Sequence, residues 1–385
     1  MTITQINFIK LLENAIFGIN NLYPECNYCE LEKLAAGHCS VSLVYQGAIL
    51  ANMTPPESWK HASIITAINN YKNLTIQKEV LSILNENNIP CAVIKGITAA
   101  VNYAQPMSRA LGDVDILVDE INYEKAVTLF GYETDKRDNK FHTAFNYKGV
   151  DIEIHKAIDD YKTGILGTKL SLVMKNALKD IAIIEFDGFE IPCLQNEYQA
   201  VLYLNHMYRH FSDNELSMRM FCDWVAFVSK ISNEEWNSRI YKILEEAGFN
   251  LFADALNKTA HKYMDAKTTN KINSKIDDKL ADYLMEEFVY DGTRKGEEFL
   301  DGNIAAAYSK NGKGFITGSI DLLNSAAKRK LGIARYKLLL PICWLYIILR
   351  YFYNAIAGKR KIVSYKKIDE TVNRRIQIKK HIKLG

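Results

Sequence analysis

Between Pro90 and about residue 195 the spacing of apolar residues changes, and that change constrains the fold more than any other feature of the chain. On either side, apolar positions recur at three and four, the period of a helix with one buried face. The segments LEKLAAGHCSVSLVYQGAIL and SIITAINNYKNLTIQKEVLSIL show it before Pro90. It returns after 195 in EYQAVLYLNHMYRHF, LSMRMFCDWVAFVSK, NEEWNSRIYKILEEAG and LFADALNKTAHKYM. Inside the interval lie short β-rich runs: CAVI at 91–94, DVDILV at 113–118, FHTAFNY at 141–147, VDIEIH at 150–155 and IAIIEFDGFEIPCL at 181–194. Lys148-Gly149 and Asp187-Gly188 separate alternating runs as two-residue hairpin turns. Residues 122–132 read as a helix ending at Gly131. The expected fold is α/β (α+β): a small mixed sheet at 90–195, a helical region at 1–89, a helical domain at 196–332, and an apolar helix with a basic tail at 333–385.

At 385 residues, 48% hydrophobic and 24% charged, the chain has the composition of a globular protein with a sizeable core. Its seven cysteines are scattered, which argues against a disulfide framework and makes a reducing cytoplasm the simplest compartment. Glu13 interrupts the apolar N-terminal stretch, which reads as an amphipathic helix rather than a signal peptide. There is no Gly-x-Gly-x-x-Gly, Walker A or Gly-x-Ser-x-Gly motif, so dinucleotide-binding, P-loop and serine-hydrolase readings fall away. Cys26-x-x-Cys29 with His38 and Cys39 supplies half of a zinc pattern, but no second C-x-x-C or H-x-x-H completes it.

The chemistry concentrates in two strands. In Gly112-Asp113-Val114-Asp115-Ile116-Leu117-Val118 the aspartates stand two apart on a strand, so both carboxylates project to one side. Two like charges so close repel each other unless a cation lies between them, and paired carboxylates suit Mg²⁺. A D-x-D alone is equally at home on a solvent-facing strand. In Val150-Asp151-Ile152-Glu153-Ile154-His155, however, two more carboxylates and an imidazole alternate with aliphatics in the same small α/β segment. A further carboxylate on a neighbouring strand is what a two-metal phosphoryl-transfer site requires.

The residues Ile94-Lys95-Gly96, Tyr103, Pro106, Ser108-Arg109, Gly112 to Val118, Gly131-Tyr132, His142 and Glu153-Ile154-His155 together resemble a bacterial family of uncharacterised nucleotidyltransferases of the DNA polymerase β type, often found near polysaccharide biosynthesis genes. The likeness is dense over 90–155. It continues more loosely over 195–230 through His206, His210, Arg219 and Asp223. It implies a Mg²⁺- or Mn²⁺-dependent transfer of a nucleoside monophosphate from an NTP to an acceptor. Asp113 and Asp115 would be the paired metal ligands and Glu153, rather than Asp151, the third carboxylate. The implied nucleotide-binding residues are Lys95, Gly96, Thr98, Ser108 and Arg109. One departure concerns the phosphate cradle: the wider superfamily places Gly-Ser or Gly-Gly closer to the D-x-D, whereas Gly96-Ile97-Thr98 lies seventeen positions before Asp113. Lys95 can still meet a phosphate as a point charge, and a small helix after Gly96 can offer backbone donors.

Other residues keep two readings. Arg109 can hold triphosphate oxygens or orient Asp113 by an ion pair. His155, Asp151, His206 and His210 can touch the acceptor or support the site from behind. His206 and His210 share a helix face, and Arg219 and Asp223 have the spacing of an i,i+4 ion pair. Modification of a protein or RNA, or a non-catalytic nucleotide-binding scaffold at a membrane, are the competing functions.

Charge is distributed unevenly. Residues 359–385 carry a net charge of +8, whereas residues 1–358 carry −5. Before the basic tail, LLLPICWLYIILRYFYNAIAG at 338–358 is too interrupted by Pro341 and Arg350 to span a bilayer. Its aromatics and the following Lys359-Arg360-Lys361 suit a helix lying on an anionic membrane, peripheral at the inner face, and equally a buried terminal helix with a solvated tail. The acidic body and the lack of a nucleic-acid module argue against nucleic acid as a partner.

Overall fold

The computed structural model describes residues 1–21, 27–130, 137–138, 141–158, 165–213, 216–268, 276–290, 320, 323–324, 327, 340–357 and 365–383. Four helices precede the sheet: α1 (Ile3–Phe17), α2 (Tyr28–Gly37), α3 (Val41–Leu50) and α4 (Glu57–Glu86). Helix α1 starts at a capping box formed by Thr2 and Gln5 and stops at Gly18, whose φ of 68° only glycine adopts without cost.

The strands β1 (Cys91–Val93), β2 (Val114–Val118), β3 (Arg137–Asp138), β4 (His142–Tyr147), β5 (Val150–His155), β6 (Ile181–Phe186) and β7 (Phe189–Leu194) form one mixed sheet in the order β3-β4-β5-β2-β1-β7-β6. β2 lies parallel to β5 and antiparallel to β1, and β1 runs parallel to β7. Both anticipated hairpin turns are present. Lys148 and Gly149 have φ of 50° and 79°, Asp187 and Gly188 of 52° and 73°, the doubly positive pattern that matches strand twist. The D-x-D strand begins one residue later than its sequence pattern suggests, so Asp113 stands just ahead of β2 and Asp115 inside it. The small helix expected after Gly96 is present at Ile97–Ala100, whereas the short strand β3 and the helix Ile165–Met174 were not anticipated. Gly131 and Tyr132 lie outside the described residues.

Alternation on β2 and β5 sorts their side chains between two layers. Val114, Ile116, Val118, Ile152 and Ile154 pack against Ile76, Val80 and Leu84 of α4. The opposite face of the sheet meets α8 (Asn196–Asp213), where Leu202 packs with Ala92, Ile94, Leu117 and Leu194. The remaining short helices are α5 (Ile97–Ala100), α6 (Tyr123–Thr128) and α7 (Ile165–Met174).

The largest core does not follow chain order. Phe8 and Leu12 of α1, Val44 of α3 and Trp59 share one cluster with residues from the second half of the chain. These come from α8, α9 (Met218–Lys230), the π-helical turn Trp236–Ile240 that follows the one-turn α10 (Asn233–Glu235), α11 (Tyr241–Ala247), α12 (Asn250–Met264) and α13 (Asp278–Tyr290). Of two C-terminal helices, Tyr365–Ile382 docks on this body. Its Ile378 and Ile382 enter the core, and its Arg374 and Arg375 clamp Glu287 of α13 at 2.7 Å each. Two of the tail's ten cations, Arg374 and Arg375, are therefore engaged with the body of the protein. The other helix, Leu340–Ile356, leaves Ile342, Leu345, Leu349, Phe352, Tyr353 and Ile356 exposed.

Candidate active site

Side chains of β2 and β5 that point away from α4 include the polar ones, Asp115, Asp151, Glu153 and His155, beside Leu117. Because the two strands are parallel neighbours with Asp115 opposite Glu153, their carboxylates come together across the ladder. Asp113, at the exposed approach to β2, completes a set of three whose ligand oxygens all lie within 4.8 Å of one another. Asp151 does not join it: exposed and nearer the hairpin turn, it accepts a hydrogen bond from Asn146 Nδ2 at 3.3 Å.

The charges around Asp115 are unequal. Its Oδ1 accepts a hydrogen bond from Lys95 Nζ at 2.8 Å and lies 2.8 Å from His155 Nε2. Its Oδ2 is buried and has no hydrogen-bond partner among the described residues. Burial opposes ionisation of Asp115, but the Lys95 ammonium and the His155 imidazole outweigh it and hold the carboxyl far below the usual range. Asp113 moves the other way, raised by its partial enclosure and by the Asp115 charge. Glu153 is lowered mainly by its hydrogen bond with His155, whose Nε2 stands 3.3 Å from Glu153 Oε2. Burial disfavours the His155 imidazolium, yet hydrogen bonds to Asp115 and Glu153 raise its pKa. Three carboxylates, one with an unpartnered buried oxygen, fit a hard divalent cation.

Gly96 turns the chain from β1 into α5 with φ of 64°, and a Cβ there would stand 3.5 Å from the Leu111 carbonyl. That contact is an ordinary one; it is the positive φ that favours glycine here. Thr98, in the first turn of α5, is buried with its hydroxyl unpartnered among the described residues. Ser108 closes its own turn onto the Gln105 carbonyl at 2.7 Å. Arg109 faces neither Asp113 nor open solvent. It is buried, and its guanidinium holds Asp223 of α9 through two bonds, Nε–Oδ1 at 3.0 Å and Nη2–Oδ2 at 2.6 Å. Tyr103 adds a third bond to that carboxylate at 2.8 Å. Asp223 thus pairs across the fold with Arg109 rather than along its own helix with Arg219. His206 and His210 face each other on α8, Nε2 to Nε2 at 2.9 Å. His206 also lines a small cavity together with Lys95, His142 and His155, and burial lowers its pKa strongly. Of the half zinc motif, Cys26 lies outside the described residues. His38 accepts a bond from the Met218 N–H at 3.1 Å and faces the Val289 carbonyl at 3.4 Å, a buried hydrogen bonder.

Two contributors, Asn70 and Gln199, were not singled out from sequence, and His142 entered there only through the family resemblance. Asn70 of α4 bonds the Met107 and Arg109 carbonyls at 3.0 and 2.9 Å and accepts the Leu111 N–H at 2.9 Å, fixing the loop that leads into the D-x-D. Gln199 of α8 donates to the Ile94 carbonyl at 3.2 Å. His142 lies opposite His155 in the β4–β5 ladder. That last pairing was countable: a two-residue turn at Lys148-Gly149 starts the register at Tyr147–Val150 and carries it to His142–His155.

No curated protein and no solved structure matches the chain. A family model described as "Uncharacterised nucleotidyltransferase" matches residues 27–265, a span that holds the sheet, the carboxylates and the helices packed on them. With well over half of its length inside that match, the chain belongs to this family of nucleotidyltransferases.

Proposed function

We propose that the protein transfers a nucleoside monophosphate from an NTP to an acceptor hydroxyl or phosphate. A bond forms from the acceptor oxygen to the α-phosphorus, and pyrophosphate leaves. The observation that carries this reading is the convergence of Asp113, Asp115 and Glu153 from two adjacent strand segments, with Asp115 Oδ2 buried and without a donor. Asp113 and Asp115 would hold Mg²⁺ or Mn²⁺ jointly, and Glu153 would hold the ion on the acceptor side. Such ions, when bound, neutralise phosphate charge and lower the acceptor's pKa. Lys95 neutralises Asp115 and stands ready to meet a phosphate oxygen, while His155 fixes the Asp115 carboxylate from the other side. Arg109, tied to Asp223, acts by shaping the loop before Asp113 and not by contact with triphosphate.

A membrane setting is part of the proposal. Helix Leu340–Ile356 exposes a stripe of large apolar residues at helical spacing, with Leu349 59% and Ile356 88% exposed. Lys359-Arg360-Lys361 follow it in sequence. No described helix is long and apolar enough to cross a membrane. An anionic bilayer surface suits such a stripe followed by cations.

The test is incubation of the purified full-length chain with each labelled NTP, Mg²⁺ or Mn²⁺, and fractions supplying sugar phosphates, RNA or protein. Pyrophosphate release with label transferred to one fraction is expected. It should vanish in Asp113→Asn. Indifference to all NTPs with both metals, in turnover and in melting temperature, would remove the reading.

A further inference from the structure

We infer that His142, Glu153 and His155 form a second metal site, of imidazole–carboxylate type, that takes a transition-metal dication such as Zn²⁺ or Co²⁺ in preference to Mg²⁺. Its residues come from the β4–β5 hairpin. The Lys148-Gly149 turn sets His142 directly opposite His155, and the ring centroids stand 4.8 Å apart. Glu153 projects to the same face two residues before His155. Both imidazoles aim Nε2 at one carboxylate oxygen: His155 Nε2 lies 3.3 Å and His142 Nε2 3.8 Å from Glu153 Oε2. All three ligand atoms fall within 4.8 Å of one another. Ligand atoms around a tetrahedral zinc, with bonds of about 2.0–2.2 Å, stand roughly 3.3–3.6 Å apart. The two imidazole–Glu153 separations, 3.3 and 3.8 Å, lie close to that range.

Two further features point to an ion here. A cavity of about 30 Å³ lies against Lys95, His142, His155 and His206, room for one water or ion. The negative charge is also there: Asp113, Asp115 and Glu153 gather beside Lys95, which is held on Asp115 Oδ1, and Arg209 lines the far part of the same cavity. His155 Nε2 now shares a hydrogen bond with Asp115 Oδ1 at 2.8 Å. An ion on Nε2 would replace that bond and leave Asp115 as a neighbouring oxygen donor. Two imidazoles with a carboxylate select borderline metals, whereas Mg²⁺ keeps to oxygen. Glu153 belongs to both ligand sets, so the second ion would flank the carboxylate site on its α8 side, beside the cavity.

Titration of untagged, chelator-treated full-length protein with Co²⁺ tests this. Visible d–d absorption characteristic of nitrogen ligation should rise to one equivalent and be displaced by Zn²⁺ but not by Mg²⁺. His142→Ala and His142→Gln remove a half-buried ligand with little risk to the fold, and should weaken Co²⁺ binding by about tenfold or more. Asp113→Asn should leave the Co²⁺ bands in place. Melting shifts with Mg²⁺ and NTP on the same samples report the carboxylate site separately. Co²⁺ bands with no NTP response would sink the proposed reaction and keep this site. An NTP response with Co²⁺ absorption unchanged in both His142 variants, or with oxygen-type bands alone, would overturn the site and spare the reaction.

Discussion

Asp115 has two oxygens with different surroundings, one between Lys95 and His155 and the other buried without a hydrogen-bond partner among the described residues. Asp115→Asn therefore removes the counter-charge of two cationic groups as well as a metal ligand. We expect it to cost about 3–5 kcal/mol in urea denaturation at neutral pH with chelator present. Asp113→Asn should instead hold or raise stability while abolishing metal-dependent NTP binding. The raised Asp113 pKa means that its charge is unwelcome in the fold above that pKa, a penalty relieved as pH falls through it. Equal stability losses in the two variants would contradict this division. The His155 pKa is raised, so its contribution is full below about pH 6.5 and fades as pH climbs through the higher folded value. His142 and His206 are lowered, and their contributions run with the opposite sign, present above about pH 6.5 and lost on acidification. The informative quantity is the gap in urea midpoint between wild type and His155→Gln. It should stay level up to about pH 6.5 and shrink as pH rises beyond it, and a gap that stays constant throughout would mean His155 holds no proton in the ion-pair network.

At the scale of elements, the loop from Met107 to Gly112 is gripped from two sides, by Asn70 of α4 and by Asp223 of α9 through Arg109. Asn70→Ala leaves two carbonyls and the Leu111 N–H without partners in the interior, so a loss of about 1–3 kcal/mol is expected. Asp223→Asn leaves a buried guanidinium half-paired and should cost about 3–5 kcal/mol. In the double variant Arg109→Met/Asp223→Leu the loss should be clearly less than the sum of the single losses, because no charge is then stranded. Additivity of the two would mean that Arg109 and Asp223 act separately and that Arg109 has work elsewhere. Neither interaction is visible in local sequence. Arg109 lies close to the D-x-D along the chain, yet the fold turns its side chain away from both aspartates.

For the molecule as a whole, the docking of helix Tyr365–Ile382 changes what truncation can reveal about the tail. Ending the chain before Leu338 would strip Glu287 of Arg374 and Arg375 and uncover core around Ile378, so the truncated protein should melt well below the full chain. Membrane contact is better tested on the exposed stripe. Leu345→Ser, Leu349→Ser and Ile356→Ser combined should keep the melting temperature and lose flotation with anionic vesicles. Salt should weaken the wild-type interaction, since the screening length contracts from about 10 Å at 0.1 M to about 3 Å at 1 M. Unchanged flotation of the triple variant would remove the stripe as the anchor. A drop in melting temperature would show that it packs on the protein.

What the sequence determined by itself is what depends on short range. Period-two alternation marked β2 and β5 and put Asp115, Glu153 and His155 on the face away from α4, because side-chain direction in a strand follows from parity alone. Turn glycines with positive φ set both hairpins, and with them the His142–His155 pairing. Tertiary structure decided which strands became neighbours. Nothing local to residues 113–118 requires them to lie parallel to 150–155, yet that pairing joins Asp115 to Glu153 and makes a site of two separate motifs. Likewise, only packing decided that Arg109 would turn into the interior toward Asp223, that the first helices would share a core with the second half of the chain, and that Arg374 and Arg375 would leave the basic tail for Glu287. Burying apolar surface and satisfying buried charge are long-range demands, met by whichever partners the folded chain brings within reach.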